Sequence, residues 1–305
     1  MTNNDRQSWT TSGDGASLAY WDEGEGPALV MTNGYANSTL YWEPLRRRLR
    51  KNIRVIRWDL RGHGRSGPVR DMETMTVAGC ADDLRRVMDA VGIEQAVLAG
   101  FSFGSQIVLE SWRQFPDRVA GLIPVFGPYE RPFDTLIHPF VGPLIFALYR
   151  TVPELVWGSC LKCGALGSVL DPVHAFAQQL GFIGPDVSRE EMAPFYTHLA
   201  QIDVPSWYVM GLAAQRHSAR DYLCDIDVPT LVVAGGRDRF SPGRLGREMA
   251  GEIPDAELVW IEEATHTGLF DAPRKVGAAV ERFLARLFDD VECGKRDIRE
   301  VESNR

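Results

Sequence analysis

The stretch Gln95-Ala-Val-Leu-Ala-Gly-Phe-Ser-Phe-Gly-Ser105 decides the fold of this chain. Its apolar first half predicts a short buried strand, and the apolar residues spaced along 107–115 predict a helix. Ser102 therefore stands at a strand-to-helix turn that strains its backbone. Side chains at Gly100 and Gly104 would collide there with the neighbouring strand and helix. This Gly-x-Ser-x-Gly context indicates a nucleophilic serine above the carboxyl edge of a sheet.

Strand and helix patterns alternate on both sides of this turn. Runs rich in apolar residues predict strands over 17–21, 28–31, 53–58, 95–100, 119–125, 229–235 and 258–261. Helical spacing of apolar residues predicts helices over 38–50, 76–91, 107–115, 243–251 and 271–287. Strands that alternate with helices are typical of βαβ units, so we predict an α/β fold with a mostly parallel, twisted sheet flanked by helices.

The alternation stops between about Gly127 and Asp225, a segment rich in Pro, Phe, Tyr, Met and Trp with helical character. A structureless loop of that length is rare in a compact domain, so we predict an inserted helical cap. The expected domains are a core over 1–127 and 226–288, a cap over 128–225, and a charged, disordered tail over 289–305.

Composition and charge exclude several classes of protein. The 305 residues are 45% hydrophobic and 24% charged, which is an ordinary globular composition. Lys and Arg number 33 against 41 Asp and Glu, giving a net charge of −8. That sign disfavours a nucleic-acid partner, and the basic run 46–51 is interpreted as the polar face of a surface helix. We expect a small-molecule ligand; the sequence leaves monomer and homo-oligomer open.

Cysteine usage and the apolar segments favour a soluble cytoplasmic protein. Five cysteines are too few, and an odd number, for a disulfide-stapled secreted fold. Cys160 and Cys163 form a lone Cys-x-x-Cys pair, which is interpreted as ordinary cap cysteines with a metal or redox site as the alternative. No secretory signal is visible at 1–6. The uncharged stretch 135–149 contains two prolines and is shorter than the roughly 20 apolar residues of a membrane span.

Four motifs resemble the α/β-hydrolase superfamily in its capped, serine-nucleophile form. They are Thr32-Asn-Gly-Tyr35, Asp59-Leu-Arg-Gly-His-Gly-Arg-Ser66, the turn around Ser102, and Gly235-Gly-Arg-Asp238 together with Thr265-His266. The resemblance covers about 15–127 and 226–288, and it implies that fold. It is specific for the fold and much less specific for the substrate.

The order Ser, Asp, His in the resemblance implies a catalytic triad of Ser102, Asp238 and His266. A serine hydroxyl is a weak nucleophile at neutral pH and needs a base, for which imidazole is suited. Each of the three residues follows a predicted strand, so the loops converge on one sheet edge. Glu130, which follows the preceding strand, is the alternative acid. Asp59 is interpreted as a turn-stabilising carboxylate.

The resemblance also implies an oxyanion hole formed by the backbone N–H groups of Tyr35 and Phe103. Asn33 stands where many relatives have histidine. This replacement keeps the backbone N–H donor, but the sequence does not indicate which side chain supports the loop. His63 is expected to fix the glycine-rich turn. The mechanism requires no cofactor, and the sequence contains no dinucleotide fingerprint or metal-binding cluster.

Aromatic residues in and near the cap suggest an apolar substrate pocket, with cap packing as the alternative for most of them. The predicted substrate contacts are Phe101, Phe140, Phe146, Tyr149 and Trp207. The first functional hypothesis is a serine hydrolase for a small-to-medium apolar ester, thioester or lactone. The alternatives are an acyltransferase, a cofactor-free perhydrolase or haloperoxidase, a C–C bond hydrolase, and a non-enzymatic ligand receptor.

Overall fold

An eight-stranded sheet lies at the centre of the protein. The structure, a computed structural model, describes residues 7–49, 53–166 and 170–303, without the side chains of 155, 164 and 289–303. The strand order is β1-β2-β4-β3-β5-β6-β7-β8. The two pairings that involve β2 are antiparallel and the other five are parallel. The strands are β1 Gln7–Thr11, β2 Ser17–Glu23, β3 Ala28–Thr32, β4 Arg54–Trp58, β5 Ala96–Phe101, β6 Val119–Val125, β7 Thr230–Gly235 and β8 Ala256–Ile261.

Helices follow most of the parallel strands, which confirms the α/β class. Those of the sheet region are α1 Glu43–Leu49, α2 Val77–Ala90, α3 Phe103–Gln114, α9 Gly243–Glu252, α10 Gly268–Asp271 and α11 Pro273–Ser303. The predicted helix over 38–50 is instead a 3₁₀ turn at Thr39–Trp42 followed by α1. Position 50, the last of the predicted helix, lies outside the described residues, and so do positions 51 and 52 of the basic run.

Strand alternation divides the core between the two faces of the sheet. In β5, Ala96 and Leu98 pack on one face, whereas Val97, Ala99 and Phe101 pack on the other, and all of them are buried. Both faces of a parallel strand are covered by helices, so its sequence is a continuous apolar run. This is why the central strands could be located from the sequence.

Helix α2 illustrates how a local signal fixes an element. The Thr76 hydroxyl accepts a hydrogen bond from the Gly79 N–H at 2.9 Å and caps the first turn. The helix then buries one stripe of residues against the sheet. The stripe comprises Val77, Cys80, Ala81, Leu84, Val87 and Met88.

Between β6 and β7, the described residues form five α-helices over the segment predicted as a cap. They are α4 Val141–Thr151, α5 Glu154–Ala165, α6 Asp171–Gln179, α7 Arg189–Gln201 and α8 Val204–Arg216. The segment has its own apolar cluster, which includes Met192, Tyr196 and Leu199. It rests on the glycine-rich turn, where the Asp203 N–H donates to the Gly62 carbonyl at 3.2 Å.

The domain boundaries derived from the sequence stay predictions. The tail predicted from 289 onward lies outside the residues whose side chains are described, and α11 runs to Ser303. Among the described residues, no helix combines the length and the apolar character that crossing a membrane requires.

Candidate active site

Ser102 occupies the turn between β5 and α3 with φ 52° and ψ −119°. A non-glycine residue at positive φ is strained, by about 1–3 kcal/mol, and such strain is characteristic of functional turns. The glycines on either side allow the turn to pack. A Cβ on Gly100 would lie 2.2 Å from the Gly104 carbonyl oxygen, and one on Gly104 would lie 2.5 Å from that of Thr32. The turn therefore has the strained form that the sequence predicts.

The structure brings the side chains of Ser102, His266 and Asp238 into one hydrogen-bonded chain. His266 Nε2 lies 3.0 Å from Ser102 Oγ, and His266 Nδ1 lies 2.9 Å from Asp238 Oδ2. The carboxylate accepts a hydrogen bond from Nδ1–H, which leaves Nε2 free to accept the serine proton. His266 and Asp238 are 4% and 5% exposed. This geometry can perform general-base activation of a hydroxyl.

The loop after β7 holds Asp238 in place. Its Oδ1 accepts hydrogen bonds from the N–H groups of Phe240 and Ser241, each at 2.8 Å. Both carboxylate oxygens are thus committed to fixed donors, which orients the acid toward His266.

Three phenylalanine rings surround the His266 imidazole. The ring centroids of Phe101, Phe182 and Phe240 lie 5.2, 5.7 and 5.5 Å from it. The Tyr41 hydroxyl donates to the His266 carbonyl at 3.2 Å. The imidazole is thus positioned by apolar walls as well as by its hydrogen bonds.

Two other carboxylates near the site have different partners. Glu130 accepts from the Arg220 guanidinium at 2.6 Å and from the Ser218 hydroxyl at 3.2 Å, and the hydrogen bond from Arg220 lowers its pKa. Asp271 accepts from the N–H and the hydroxyl of Thr265, at 2.9 and 2.8 Å, and so fixes the loop that carries His266. No sequence motif indicated this role of Asp271, which is the last residue of the short helix α10.

The backbone N–H groups of Tyr35 and Phe103 have no acceptor among the described residues. Phe103 is the first residue of α3, where helix N–H groups lack intrahelical partners. Asn33 supports the loop after β3, because its Nδ2 donates to the Trp58 carbonyl at 2.9 Å and to Asp59 Oδ1 at 3.1 Å. The position that departs from the usual histidine is therefore tied to the next strand.

Asp59 and His63 join the glycine-rich turn to its neighbours. Asp59 accepts from the Thr39 and Arg65 N–H groups at 2.8 and 2.9 Å. His63 Nδ1 lies 3.0 Å from the Arg61 carbonyl oxygen, and burial lowers the pKa of His63 to about 4. Neutral His63 donates to that carbonyl from Nδ1 and accepts a hydrogen bond from the Ala36 N–H at Nε2, at 3.3 Å, so both ring nitrogens are engaged.

A cavity of about 400 Å³ opens above Ser102 and His266. Its walls are mainly apolar and come from the helices between β6 and β7 and from the loop after Asp238. They include Leu136, Phe176, Phe182, Phe195, Leu199 and Phe240. Only Phe240 had a sequence signal for a place near the site, because it lies two positions after Asp238, the predicted acid. Phe182 had none, because it follows a glycine in a segment without periodicity.

Of the five predicted substrate contacts, Trp207 lines this cavity and four do not. Phe101 is fully buried behind His266, and Phe140 is 85% exposed on the surface. Phe146 packs against Phe133, with ring centroids 5.1 Å apart. Tyr149 is buried, and its hydroxyl donates to the Tyr208 carbonyl at 2.7 Å. The four predictions are corrected accordingly, because aromatic composition alone cannot tell a wall from packing behind it.

None of the cysteines whose side chains are described lines the cavity. Cys160 and Cys163 are free and exposed on α5. In the part of the chain that the structure describes, no three His, Cys, Asp or Glu side chains group as a metal site would require.

Comparisons with known proteins agree with this fold. The model of the Alpha/beta hydrolase family matches residues 29–279. A protein of Azorhizobium caulinodans named as carbamate hydrolase RutD is 29% identical over 254 residues, which is 83% of this chain and 89% of that protein. An uncharacterized protein of Mycobacterium bovis is 31% identical over 88% of this chain and 79% of its own length.

Solved structures show the same likeness. A hydrolase from Pseudomonas aeruginosa superimposes with a TM-score of 0.74 at 25% identity and covers 92% of this chain and 99% of its own.

Proposed function

This chain belongs to the alpha/beta hydrolase family, and from that premise we propose that it is a serine hydrolase for a small-to-medium apolar carboxylic ester, thioester or lactone. The single observation that carries the proposal is the hydrogen-bonded chain from Ser102 through His266 to Asp238. A pure ligand receptor has no physical need for a base held within hydrogen-bond reach of a strained serine.

In the first step, Ser102 Oγ attacks the substrate carbonyl carbon while its proton moves to His266 Nε2. The negative charge that develops on the carbonyl oxygen is stabilised by the free N–H groups of Tyr35 and Phe103. Asp238 stabilises the imidazolium that forms. The bond to the leaving group then breaks, and His266 returns the proton to the leaving group.

In the second step, water attacks the acyl-enzyme. His266 accepts a proton from the water, and the resulting acid leaves as the proton returns to Ser102. Acids, alcohols and thiols are the products, and no cofactor takes part in this sequence. The acyl acceptor in the proposal is water; capture by an amine, an alcohol or peroxide would appear as a different product in the experiment below.

The cavity supports the apolar character of the substrate. Its volume of about 400 Å³ is at the small end of the range for ligand pockets, and phenylalanine and leucine side chains form much of its wall. The name of the Azorhizobium caulinodans relative, a carbamate hydrolase, is consistent with cleavage at a carbonyl carbon.

The proposal is tested with 4-nitrophenyl esters of increasing acyl length and with a fluorophosphonate probe. We expect the wild-type protein to hydrolyse the esters and to be labelled by the probe, and Ser102→Ala to lose both while keeping its melting temperature. Ser218→Ala is the matched control, because it removes a hydroxyl that bonds to Glu130 instead of His266. Undiminished hydrolysis in Ser102→Ala would reject the proposal, and product analysis with added hydroxylamine or peroxide identifies the acceptor.

A further inference from the structure

Gln106 places a buried amide on the wall of the cavity, one helical turn after Ser102. The residue is on α3, has no exposed surface, and lines the cavity. Its Nε2 donates to the Ala214 carbonyl at 3.0 Å. Because the nitrogen must face that carbonyl, the opposite side of the amide is Oε1, and this oxygen is buried with no hydrogen-bond partner among the described residues.

Trp207 contributes an unpartnered donor to the same wall. Its indole stacks on Tyr35 with ring centroids 5.2 Å apart, and it is 6% exposed. In the described part of the chain, nothing accepts a hydrogen bond from its Nε1. Both residues therefore combine burial with an unused polar atom, a combination that costs free energy unless a partner arrives.

Gln106 and Trp207 line one side of the cavity. Trp207, Gly211 and Ala214 are spaced four and three residues apart on α8, which places them on one helix face, and all three line the cavity. The carbonyl of Ala214 is the group that holds Gln106. Gln106 on α3, which carries the unused acceptor, and Trp207 on α8, which carries the unused donor, thus line the same space.

The two tyrosine hydroxyls on the wall already have partners. The Tyr196 hydroxyl lies 2.7 Å from His174 Nδ1, and the Tyr35 hydroxyl lies 2.8 Å from that of Tyr149. Gln106 Oε1 and Trp207 Nε1 differ from them in being unused.

We propose that Gln106 and Trp207 form a polar subsite that binds a secondary amide in the acyl part of the substrate. A secondary amide supplies an N–H for Gln106 Oε1 and a carbonyl oxygen for Trp207 Nε1, and the apolar remainder of the cavity holds the alkyl chain. The inference rests on the proposed function and deepens it, since it assigns the substrate class. A site that provides buried hydrogen-bonding groups discriminates strongly against an analogue that lacks the matching group.

The test compares esters of equal chain length with and without an amide. We use 4-nitrophenyl 4-acetamidobutanoate and 4-nitrophenyl 3-propanamidopropanoate, which place the amide at two neighbouring positions, and 4-nitrophenyl heptanoate as the all-methylene counterpart. The measured quantity is the ratio of kcat/KM for each amide ester to that for heptanoate. We expect at least one ratio to fall roughly tenfold in Gln106→Met and in Trp207→Phe, because each loses one hydrogen bond.

Trp42→Phe is the matched control. The Trp42 Nε1 is also buried without a partner among the described residues, but Trp42 packs in the core near Phe101 and does not line the cavity. We expect its ratio to equal that of the wild type. Equal ratios in all four proteins, or an equal fall in Trp42→Phe, would overturn the amide subsite.

Failure of the inference and failure of the proposed function remain distinguishable. If hydrolysis of the heptanoate ester depends on Ser102, and the kcat/KM ratio is unchanged in Gln106→Met and Trp207→Phe, the subsite alone is wrong. If no ester is hydrolysed in a Ser102-dependent way, the proposed function is wrong. Melting curves are recorded for every variant, and should Gln106→Met fail to fold, Trp207→Phe carries the test.

Discussion

The central sheet and the helices between β6 and β7 bury their apolar residues very differently. All six residues of β5 are buried, whereas on α4 Leu144 and Leu148 are 62% and 48% exposed. The chemistry of the proposed site lies at the sheet edge, where Asp238 and His266 are 5% and 4% exposed. The walls of the cavity come largely from the less constrained helices. The comparison predicts that substitutions at the edge change whether a reaction occurs, and that substitutions in the helical segment change which molecule reacts.

The largest effect is expected from the carboxylate at the sheet edge. Asp238→Asn should lower kcat by roughly 10⁴-fold, because an amide does not stabilise the imidazolium and favours the wrong histidine tautomer. Glu130→Gln, at the junction with the helical segment, should stay within about threefold, since Glu130 is bonded to Arg220 and Ser218. Steady-state kinetics on one ester measures both. A loss in Glu130→Gln comparable to that in Asp238→Asn would reinstate Glu130 as the acid.

A second test uses two glycines of the sheet region. A Cβ on Gly104 would lie 2.5 Å from the Thr32 carbonyl oxygen, so Gly104→Ala must displace either α3 or the loop after β3. We expect it to destabilise the protein by about 2–3 kcal/mol and to lower activity as well. Gly251, on α9, has nothing within 4 Å of such a Cβ, and Gly251→Ala should stabilise by up to about 1 kcal/mol. Urea unfolding measures both free energies, and similar values for the two variants would contradict the close approach at the turn.

The same difference explains what could be predicted from the sequence. Strands β5 and β7 are buried throughout and are near-continuous apolar runs, and the turns after them carry Ser102 and Asp238. His266 follows β8, a strand at the end of the sheet that is only partly buried but still apolar at five of its six positions. The meeting of these three side chains follows from topology, because parallel strands end at one edge. Their catalytic roles stay a prediction until activity is measured.

The features that were missed lack such a pattern. Strand β1, Gln7–Thr11, is only partly buried and mostly polar, so no apolar run marked it. The cavity walls depend on how five helices pack, and spacing within one helix does not determine which face meets the cavity. For this reason Phe182 was missed, and Phe140 was assigned to a pocket although it lies on the surface.

A third test concerns the junction between the two regions. His63, on the glycine-rich turn, and His198, on α7, have ring centroids 5.6 Å apart, and the Gly64 N–H donates to His198 Nδ1 at 3.4 Å. Burial lowers the pKa of His63 to about 4 and that of His198 to about 3. The unfolded chain therefore binds more protons than the folded one below pH 6.5. The stability that the two neutral histidines contribute is fully present above pH 6.5 and is lost as the pH falls toward 4.

The loss is measured by comparing the wild type with His198→Gln. Each buried neutral histidine should lower the free energy of unfolding at pH 5 by on the order of 2 kcal/mol relative to pH 7.5. The free energy of unfolding of His198→Gln should accordingly fall less over that interval. Asp59 and Asp83, whose pKa values burial raises to about 6 and 7, change stability in the opposite direction, but they are present in both proteins and cancel in the difference. Parallel pH curves would show that His198 is protonated in the folded state.

The smallest effect is expected within the helical segment, and it concerns selectivity. Phe182 lines the cavity, and its ring lies 4.9 Å from that of Phe240 and 5.7 Å from that of His266, so Phe182→Ala opens space next to the reacting atoms. We expect kcat/KM for short acyl esters to fall roughly tenfold, with the preferred chain length moving to longer acyl groups, because short chains lose their apolar contact. Phe140→Ala removes a ring that is 85% exposed and should leave the chain-length profile unchanged. A profile that shifts equally in both variants would mean that the segment moves as a whole, and the distinction between wall and surface would then fail.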